Sequence, residues 1–171
     1  MDLTELYAMI DHVDDELFAA LTRRKTLVDQ VAEYKKEHGM PVSNPAREQE
    51  IIRRFEEKNE RTAFAGLKLF YGVLIDLNKF IQYRASPKKI DVPTGLGGAS
   101  IRAVLPDRPG ALCRYLSPLG AAEVSISNIH SQLMPGGKIL VDIELIGDSG
   151  NSDFAAALSV LADTAEKFTV L

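Results

Sequence analysis

The sequence has few of the residues that form cross-linked or metal-dependent sites. It contains one cysteine, Cys113, and three histidines at positions 12, 38 and 130 with no metal-ligand spacing. A single cysteine excludes a disulfide within the chain and is too little thiolate for a zinc site. Catalytic zinc needs three or four converging protein and solvent ligands, so the sequence predicts no metal centre.

Long apolar runs and an excess of positive charge are also missing. The formal net charge is −4, and no basic stripe with interleaved aromatic residues is present, which argues against a nucleic-acid binder. No window approaches the roughly 20 apolar residues of a membrane span. The first residues are acidic and have the pattern of neither a secretory signal nor a transit peptide. We therefore expect a cytoplasmic protein without a membrane partner.

The apolar residues that are present follow a helical period in the first part of the chain. They recur at alternating steps of three and four residues, and no Gly or Pro interrupts them before Gly39. The pattern predicts one helix of about 35 residues, about 50 Å long. The stripe comprises Leu3, Leu6, Ile10, Val13, Leu17, Ala20, Leu27, Val31 and Tyr34. Such a helix needs another long helix beside it, and a second copy of the chain is the simplest source.

Two more helices are predicted before a composition change near residue 86. Asn44 as N-cap and Pro45 at the first helical position begin the second helix. The third is expected over residues 63–83, with one apolar face buried, namely Leu67, Phe70, Leu74, Leu77 and Ile81. A Pro/Gly-rich stretch follows. The predicted organisation is an all-α three-helix domain over residues 1–86, a linker over 87–99 and a second domain over 100–171.

The period changes to two in the second domain. Alternating or continuous apolar residues predict strands at 101–105, 124–129, 139–145 and 168–171, and helical patterns occupy 110–119 and 152–166. The turn at residues 135–137 separates the second and third strands. The order βαββαβ predicts an α/β ferredoxin-like domain.

Several polar residues interrupt the apolar faces of the predicted helices. Arg24 occupies a stripe position, and Lys35 follows eleven residues later, about 20° around the helix and about 16 Å along it. Burying two cations requires acidic partners or an anionic ligand. Arg47 and Glu48 begin the second helix, and Asn78 and Gln82 are one turn apart on the third. Interhelical salt bridges and polar contacts are one interpretation of this set. A site for a small dianion with hydroxyl or ether oxygens is the other.

In their order and spacing, these residues resemble the all-helical chorismate mutase family. The matching segments are 10–14, 23–24, 31–35, 39–42, 47–48 and the turn from Asn78 to Gln82. The resemblance covers about residues 1–84. It implies an intertwined helical homodimer, or a higher oligomer, in which each active site takes residues from both chains.

The resemblance also implies residue roles and the substrate chorismate. Arg24 and Arg47 match cations that bind the substrate carboxylates, and Lys35 and Gln82 match donors to the ether oxygen. Glu48 matches the acceptor for the ring hydroxyl, while Asn78 replaces a common serine. Two weaker substrate-binding candidates are Asn44, where aspartate is usual, and Tyr7, where the family has arginine. The reaction is a unimolecular Claisen rearrangement to prephenate, so no cofactor is expected.

The second domain resembles an ACT domain. The resemblance rests on the βαββαβ order, on residues 106–112 at the first strand–helix junction, and on residues 128–131 in the second strand. It implies an amino-acid effector bound between paired domains, with a carboxylate near the helix N-terminus. The implied effector residues are Asp107, Gly110, Ala111, Leu112, Asn128, Ile129 and Ser131. A tight turn that needs Gly110 for geometry alone is the alternative.

The leading functional hypothesis is a chorismate mutase that is feedback-regulated by phenylalanine or tyrosine in aromatic amino acid biosynthesis. The combination is similar to bifunctional mutase–prephenate dehydratases without the dehydratase domain. Tyr7 favours an alternative, a catalytically impaired mutase fold that regulates a partner enzyme in response to an amino acid. A related helical-dimer enzyme acting on isochorismate is the third possibility.

Overall fold

A computed structural model describes residues 2–60, 66–92 and 97–171, and the chain divides into two compact units, Met1–Met40 and Pro41–Leu171. The first unit is one helix, α1, over Leu3–Glu37, which confirms the predicted 35-residue element. Asp2 caps it by accepting from the Glu5 backbone, and the Glu5 side chain accepts from the Asp2 backbone in return. This capping box satisfies two otherwise unpaired backbone donors. None of the residues of α1 is buried.

The second unit begins with two helices, α2 over Pro45–Asn59 and α3 over Leu67–Ala85. As predicted, Asn44 caps α2, and its side chain accepts from the Arg47 backbone at 3.0 Å. The ring of Phe55 on α2 stacks on that of Tyr71 on α3. The expected start of the third helix at residue 63 lies outside the described residues.

The prediction of which face of α3 is buried was wrong. Phe70 is 42% exposed, and the other four residues of the predicted face are only half-buried. The buried residues of α3 are Gly72, Ile75, Asp76, Asn78, Lys79, Phe80, Gln82 and Tyr83. The reason is tertiary packing: the opposite side of α3 lies against the helices of the α/β layer, which the helical period alone does not reveal.

The remainder of the second unit is an α/β layer with the predicted βαββαβ order. Its elements are β1 (Gly98–Pro106), α4 (Ala111–Ala121), β2 (Ser125–Met134), β3 (Lys138–Ile146), α5 (Ser152–Thr164) and β4 (Lys167–Val170). The strands form one antiparallel sheet in the order β2-β3-β1-β4. This confirms the ferredoxin-like, ACT-like fold class. β2 is an edge strand, and all ten of its residues are exposed.

The core of this layer is apolar and fully enclosed. Alternate residues of β1 and β3, such as Ile101 and Val141, face α4 and α5 and are 0% exposed. Phe80 and Tyr83 of α3 belong to the same hydrophobic cluster. The α3 helix is therefore part of the α/β core by packing. The boundaries that the sequence predicts between the two domains, at residues 86 and 100, stay a prediction.

Two polar contacts fix the end of α3 and the following segment against α5. The Tyr83 hydroxyl donates to the Asp163 carboxylate, and the Lys88 backbone donates to the Ser159 hydroxyl at 2.9 Å. Burial, reinforced by the negative Asp163, raises the pKa of Tyr83 well above its ordinary range. Within the described ranges, the structure contains no helix with the length and apolar character to cross a membrane.

Candidate active site

The first turn of α2 presents the predicted carboxylate, Glu48. Its Oε2 accepts from Lys79 Nζ of α3 at 2.8 Å, and its Oε1 accepts from the Ser43 hydroxyl at 3.2 Å. The Glu48 side chain is 19% exposed. An ionised carboxylate offers about four acceptor positions, so Glu48 retains capacity for a further donor such as a hydroxyl.

Lys79 belongs to a larger charged cluster. Lys79 Nζ also lies 3.5 Å from Asp76 Oδ1, one turn earlier on α3. Arg114 of α4 binds both Asp76 oxygens, with its Nε at 2.5 Å and Nη2 at 3.1 Å. Arg114 Nη2 is also 4.0 Å from Glu48 Oε2. Burial opposes the charge of Arg114, but the hydrogen bond and charge of Asp76 more than offset it, so the pKa of Arg114 is raised.

The two predicted amides, Asn78 and Gln82, are both buried on α3. Gln82 Nε2 donates to the Asn78 backbone carbonyl at 3.2 Å. Gln82 Oε1 is buried and has no hydrogen-bond partner among the described residues. An amide carries two N–H donors, so Gln82 retains one donor besides its contact with Asn78. A buried amide with free capacity is typical of a site that accepts a polar ligand.

Arg47 lies away from this cluster. Its Nη1 pairs with Glu50 Oε2 at 2.6 Å on the surface of α2, and the Arg47 side chain is 53% exposed. The hydrogen bond and charge of Arg47 hold the pKa of Glu50 below its ordinary value. The structure therefore does not bring Arg47 into the group formed around Glu48, and Asn44 serves as a helix cap.

The candidate residues Tyr7, Arg24 and Lys35 lie on α1, in the other compact unit. Arg24 and Lys35 are half-buried, whereas the stripe residues around them, such as Leu27 and Val31, are exposed. Tyr7 near the start of the helix is 57% exposed. The two cations are thus more enclosed than the apolar residues of their own face.

The predicted effector residues lie on two elements of the α/β layer. Gly110 precedes α4 with a φ of +79°, a left-handed conformation that favours glycine, and Asp107 donates its backbone N–H to the Gly137 carbonyl at 2.8 Å. A Cβ at position 110 would lie 3.1 Å from Leu69 Cδ1, so this junction contacts α3 directly. Asn128, Ile129 and Ser131 are exposed on the edge strand β2.

A separate cavity of about 160 Å³ lies between the segment after α3 and the N-terminal half of α5. Lys88, Ile90, Phe154 and Leu158 are among its lining residues, and it includes none of the predicted site residues. It is smaller than the roughly 300 Å³ of typical ligand sites. Among the described residues, no group of His, Cys, Asp or Glu is arranged to hold a metal ion.

Sequence reasoning missed Asp76, Lys79 and Arg114. A signal for the first two was available, because they are the only charged residues within the apolar run from 72 to 82 and are three residues apart. An opposite-charge pair at this spacing on an apolar helix indicates buried ionic contacts. Arg114 is 38 residues from Asp76, and no spacing rule connects them.

Comparisons with known proteins identify the class of the helical part. Residues 6–83 match the family described as Chorismate mutase type II. A curated relative, the chorismate mutase of Methanocaldococcus jannaschii, is 32% identical over 83 residues, which are 47% of this chain and 83% of the relative. The chain therefore belongs to the chorismate mutase type II family, a family of isomerases.

Two solved structures are similar over about half of the chain. One is described as GqqA, a novel type of quorum quenching acylase, with 24% identity and a TM-score of 0.42 over 50% of this chain. The other is a prephenate dehydratase from Arthrobacter aurescens in complex with L-Phe, with 27% identity and a TM-score of 0.40 over 47% of this chain. The chain spans 45% and 28% of those two solved chains, less than half in each case.

Proposed function

We propose that this protein catalyses the rearrangement of chorismate to prephenate. The observation that carries the proposal is the 32% identity to a chorismate mutase across most of that relative's length. The geometry around Glu48 supports it, because Lys79 contacts this carboxylate at 2.8 Å at the start of α2 and leaves acceptor capacity for a hydroxyl donor.

In the proposed reaction the ether C–O bond breaks as a C–C bond forms, and no nucleophile, proton carrier or cofactor is needed. Arg24 and Arg47 bind the two carboxylates, for which Arg47 exchanges its surface contact with Glu50 for the substrate, and Glu48 accepts from the ring hydroxyl. Together they hold the substrate in its reactive diaxial conformer, which is an orientation effect. Lys35 and Gln82 donate to the ether oxygen, where negative charge grows in the transition state, and such fixed donors are typically worth a few kcal/mol each. Asn78 supports Gln82 through its backbone carbonyl.

The proposed active unit is a homodimer or a higher oligomer. The support is α1, whose apolar stripe is exposed along its whole length, with Ile10 at 54% and Leu17 at 48% exposed. A stripe of this length is larger than monomers normally leave in water. Pairing with a second α1 covers the stripe and brings Tyr7 of one chain to the site of the other, as the family resemblance implies.

The proposed regulator is phenylalanine or tyrosine, bound near Gly110 and the exposed residues of β2. The support is the ferredoxin-like fold and the left-handed Gly110 before α4, which provides no side-chain cap, because a helix N-terminus favours a carboxylate. Binding at this junction reaches α3 through the close approach of Gly110 to Leu69. The proposed place of action is the cytoplasm, in aromatic amino acid biosynthesis.

The test is chorismate consumption and prephenate formation by the purified full chain. We expect turnover well above the spontaneous rate, reduced about ten- to hundredfold in Glu48→Gln because a charged hydrogen bond to the substrate is weakened. Phenylalanine or tyrosine at millimolar concentration is expected to change the rate and to raise the melting temperature. A wild-type rate equal to the spontaneous one defeats the enzymatic proposal.

One observation favours a second candidate, an impaired mutase fold that regulates a partner enzyme. Tyr7 stands where the family has arginine, and a phenol cannot neutralise a carboxylate as a bidentate guanidinium does. Replacing Tyr7 with arginine separates the two candidates. A gain in kcat/KM of a hundredfold or more supports the impaired fold, and a change of less than about tenfold supports the working mutase.

A further inference from the structure

Four charged side chains connect α4 of the α/β layer to Glu48 in an unbroken series. Arg114 binds Asp76 with two hydrogen bonds, Asp76 lies 3.5 Å from Lys79, and Lys79 binds Glu48 at 2.8 Å. The side chains of Asp76 and Lys79 are only 1% and 6% exposed. Two cations balance two anions, which is the condition under which buried charges are tolerated.

The helix α3 is shaped to admit Arg114. Gly72 faces the Arg114 side chain, and a Cβ there would lie 3.0 Å from Cδ and 3.2 Å from Nε. Glycine in the interior of a helix is unfavourable compared with alanine. Its presence here keeps open the space through which the guanidinium reaches Asp76.

Asp76 and Glu48 compete for one ammonium group. Lys79 Nζ is within reach of both carboxylates, and it lies closer to Glu48. Asp76 is already neutralised by the two hydrogen bonds from Arg114, so it has little need of Lys79. Without the Arg114 charge, Asp76 would be a buried anion with Lys79 as its nearest cation, and buried anions draw any available counter-charge.

We propose that Arg114 is a positioning residue of the mutase site, because by satisfying Asp76 it leaves Lys79 to orient Glu48. The inference rests on the proposed function and extends it: the α/β layer, which lies outside the matched mutase segment, completes the geometry of the catalytic carboxylate. A shift of α4 that breaks the Arg114–Asp76 contact withdraws Lys79 from Glu48 and lowers activity.

The test compares kcat/KM for chorismate among four forms of the full chain: wild type, Arg114→Gln, Arg114→Lys, and Arg114→Gln combined with Asp76→Asn. All are assayed well below their melting temperatures, with folding checked by circular dichroism. We expect Arg114→Gln to lose about ten- to hundredfold, as expected for a misplaced charged hydrogen-bond partner, and Arg114→Lys to lose less. The double variant is expected to regain most of the loss, because removal of the Asp76 charge returns Lys79 to Glu48.

The matched control is Arg84→Gln, which removes another ion pair between α3 and the α/β layer, to Asp153 at 2.7 Å, but at an exposed position unconnected to Glu48. It is expected to retain wild-type kcat/KM. Wild-type kcat/KM in folded Arg114→Gln, or no recovery in the folded double variant, overturns the proposal.

A chain that leaves chorismate unchanged would defeat the proposed function and still allow the positioning role to be measured. In that case a double-mutant cycle in thermal unfolding, with Arg114→Gln, Glu48→Gln and both together, reports the coupling between the two side chains. Effects that are not additive support the network, and strictly additive effects overturn it.

Discussion

The two compact units of the chain place their apolar residues in opposite ways. In the unit Pro41–Leu171, the inward-facing apolar residues of β1, β3 and α5 are enclosed, and residues such as Val160 and Leu161 are 0% exposed. In the unit Met1–Met40, α1 has a clear apolar stripe and no buried residue. The difference shows that the α/β layer with α3 supplies its own core, whereas the exposed stripe of α1 is the surface on which the proposed self-association rests.

The largest expected effect comes from truncating one leucine in each unit. Leu158→Ala removes a side chain that is 1% exposed in the core and is expected to cost about 2–5 kcal/mol of unfolding free energy, measured by denaturant titration. Leu27→Ala on α1, where the leucine is 61% exposed, is the matched change. We expect it to weaken self-association in sedimentation equilibrium and to leave the denaturation of the α/β layer unchanged. Equal losses of stability in both variants would contradict the comparison.

The next largest effect is expected at Gly72, where α3 leaves space for the Arg114 side chain. Gly72→Ala is expected to lower kcat/KM for chorismate several-fold, because the new Cβ crowds Arg114. Stability is expected to change by no more than about 1 kcal/mol, since the helix propensity of alanine compensates for the crowding. Activity and thermal unfolding measured on the same preparation check this. Unchanged kcat/KM would show that the α/β layer does not influence the mutase site.

A smaller effect is expected from Tyr115 in the core of the α/β layer. Its hydroxyl is buried and has no hydrogen-bond partner in the part of the chain that the structure describes, so Tyr115→Phe is expected to stabilise by about 1 kcal/mol. The measurement is the free energy of unfolding at neutral pH. A loss of stability in the variant would show that the hydroxyl makes a favourable contact.

The burial of Tyr115 also predicts how stability changes at alkaline pH. Burial raises the pKa of Tyr115 in the folded chain. The stabilisation by the neutral phenol is thus complete below about pH 10, the ordinary tyrosine pKa, and is lost above it at about 1.4 kcal/mol per pH unit. Tyr115→Phe is expected to reduce this alkaline slope, and the raised pKa of Tyr83 contributes to the slope that remains. An identical slope in wild type and variant would contradict the assignment.

The smallest effect is expected at the exposed pair of Arg102 and Asp142 on the sheet. Its geometry is bidentate, with distances of 2.7 and 2.8 Å, like that of the Arg114–Asp76 pair. Because it is exposed to solvent and salt, Arg102→Gln is expected to lower the melting temperature at neutral pH only slightly. Arg114→Gln leaves the buried Asp76 without its guanidinium and is expected to lower the melting temperature more. Equal drops in the two variants would contradict this difference between buried and exposed pairs.

The acid dependence of the same pair follows from its hydrogen bond. Arg102 holds the pKa of Asp142 below its ordinary value. The contribution of the pair is therefore present above about pH 4, the ordinary aspartate pKa, and is lost as the pH falls through the lowered value. The pH at the midpoint of acid unfolding is expected to be equal or slightly higher in Arg102→Gln than in wild type.

Local signals in the sequence were sufficient to predict several helices and strands. The cap at Asn44, the uninterrupted stripe of α1 and the alternation in β3 are each read from neighbouring residues, and the structure confirms all three. The prediction of the buried face of α3 was wrong because the helix has apolar residues on several sides. Its sequence alone does not indicate which of these sides packs against the α/β layer. For the same reason Arg114 was not predictable, since its partners lie on another element.

For the candidate site, sequence reasoning identified Glu48 and Gln82, and the structure places both on the half-buried or buried side of their helices. It gave no indication that Arg47 pairs with Glu50 at the surface. Surface ion pairs one turn apart depend on side-chain rotamers, and residue spacing permits them without requiring them. The roles of Arg24, Lys35 and Arg47 toward a substrate stay predictions.

The central claim is that Arg24, on the apolar face of α1, binds the substrate. A comparison with the adjacent Arg23 tests it most directly. Arg24 is half-buried on the stripe, and Arg23 is exposed beside it. The measurement is kcat/KM for chorismate in Arg24→Ala and Arg23→Ala. The account predicts a loss of at least a hundredfold for Arg24→Ala and less than threefold for Arg23→Ala. Equal activities in the two variants would contradict it.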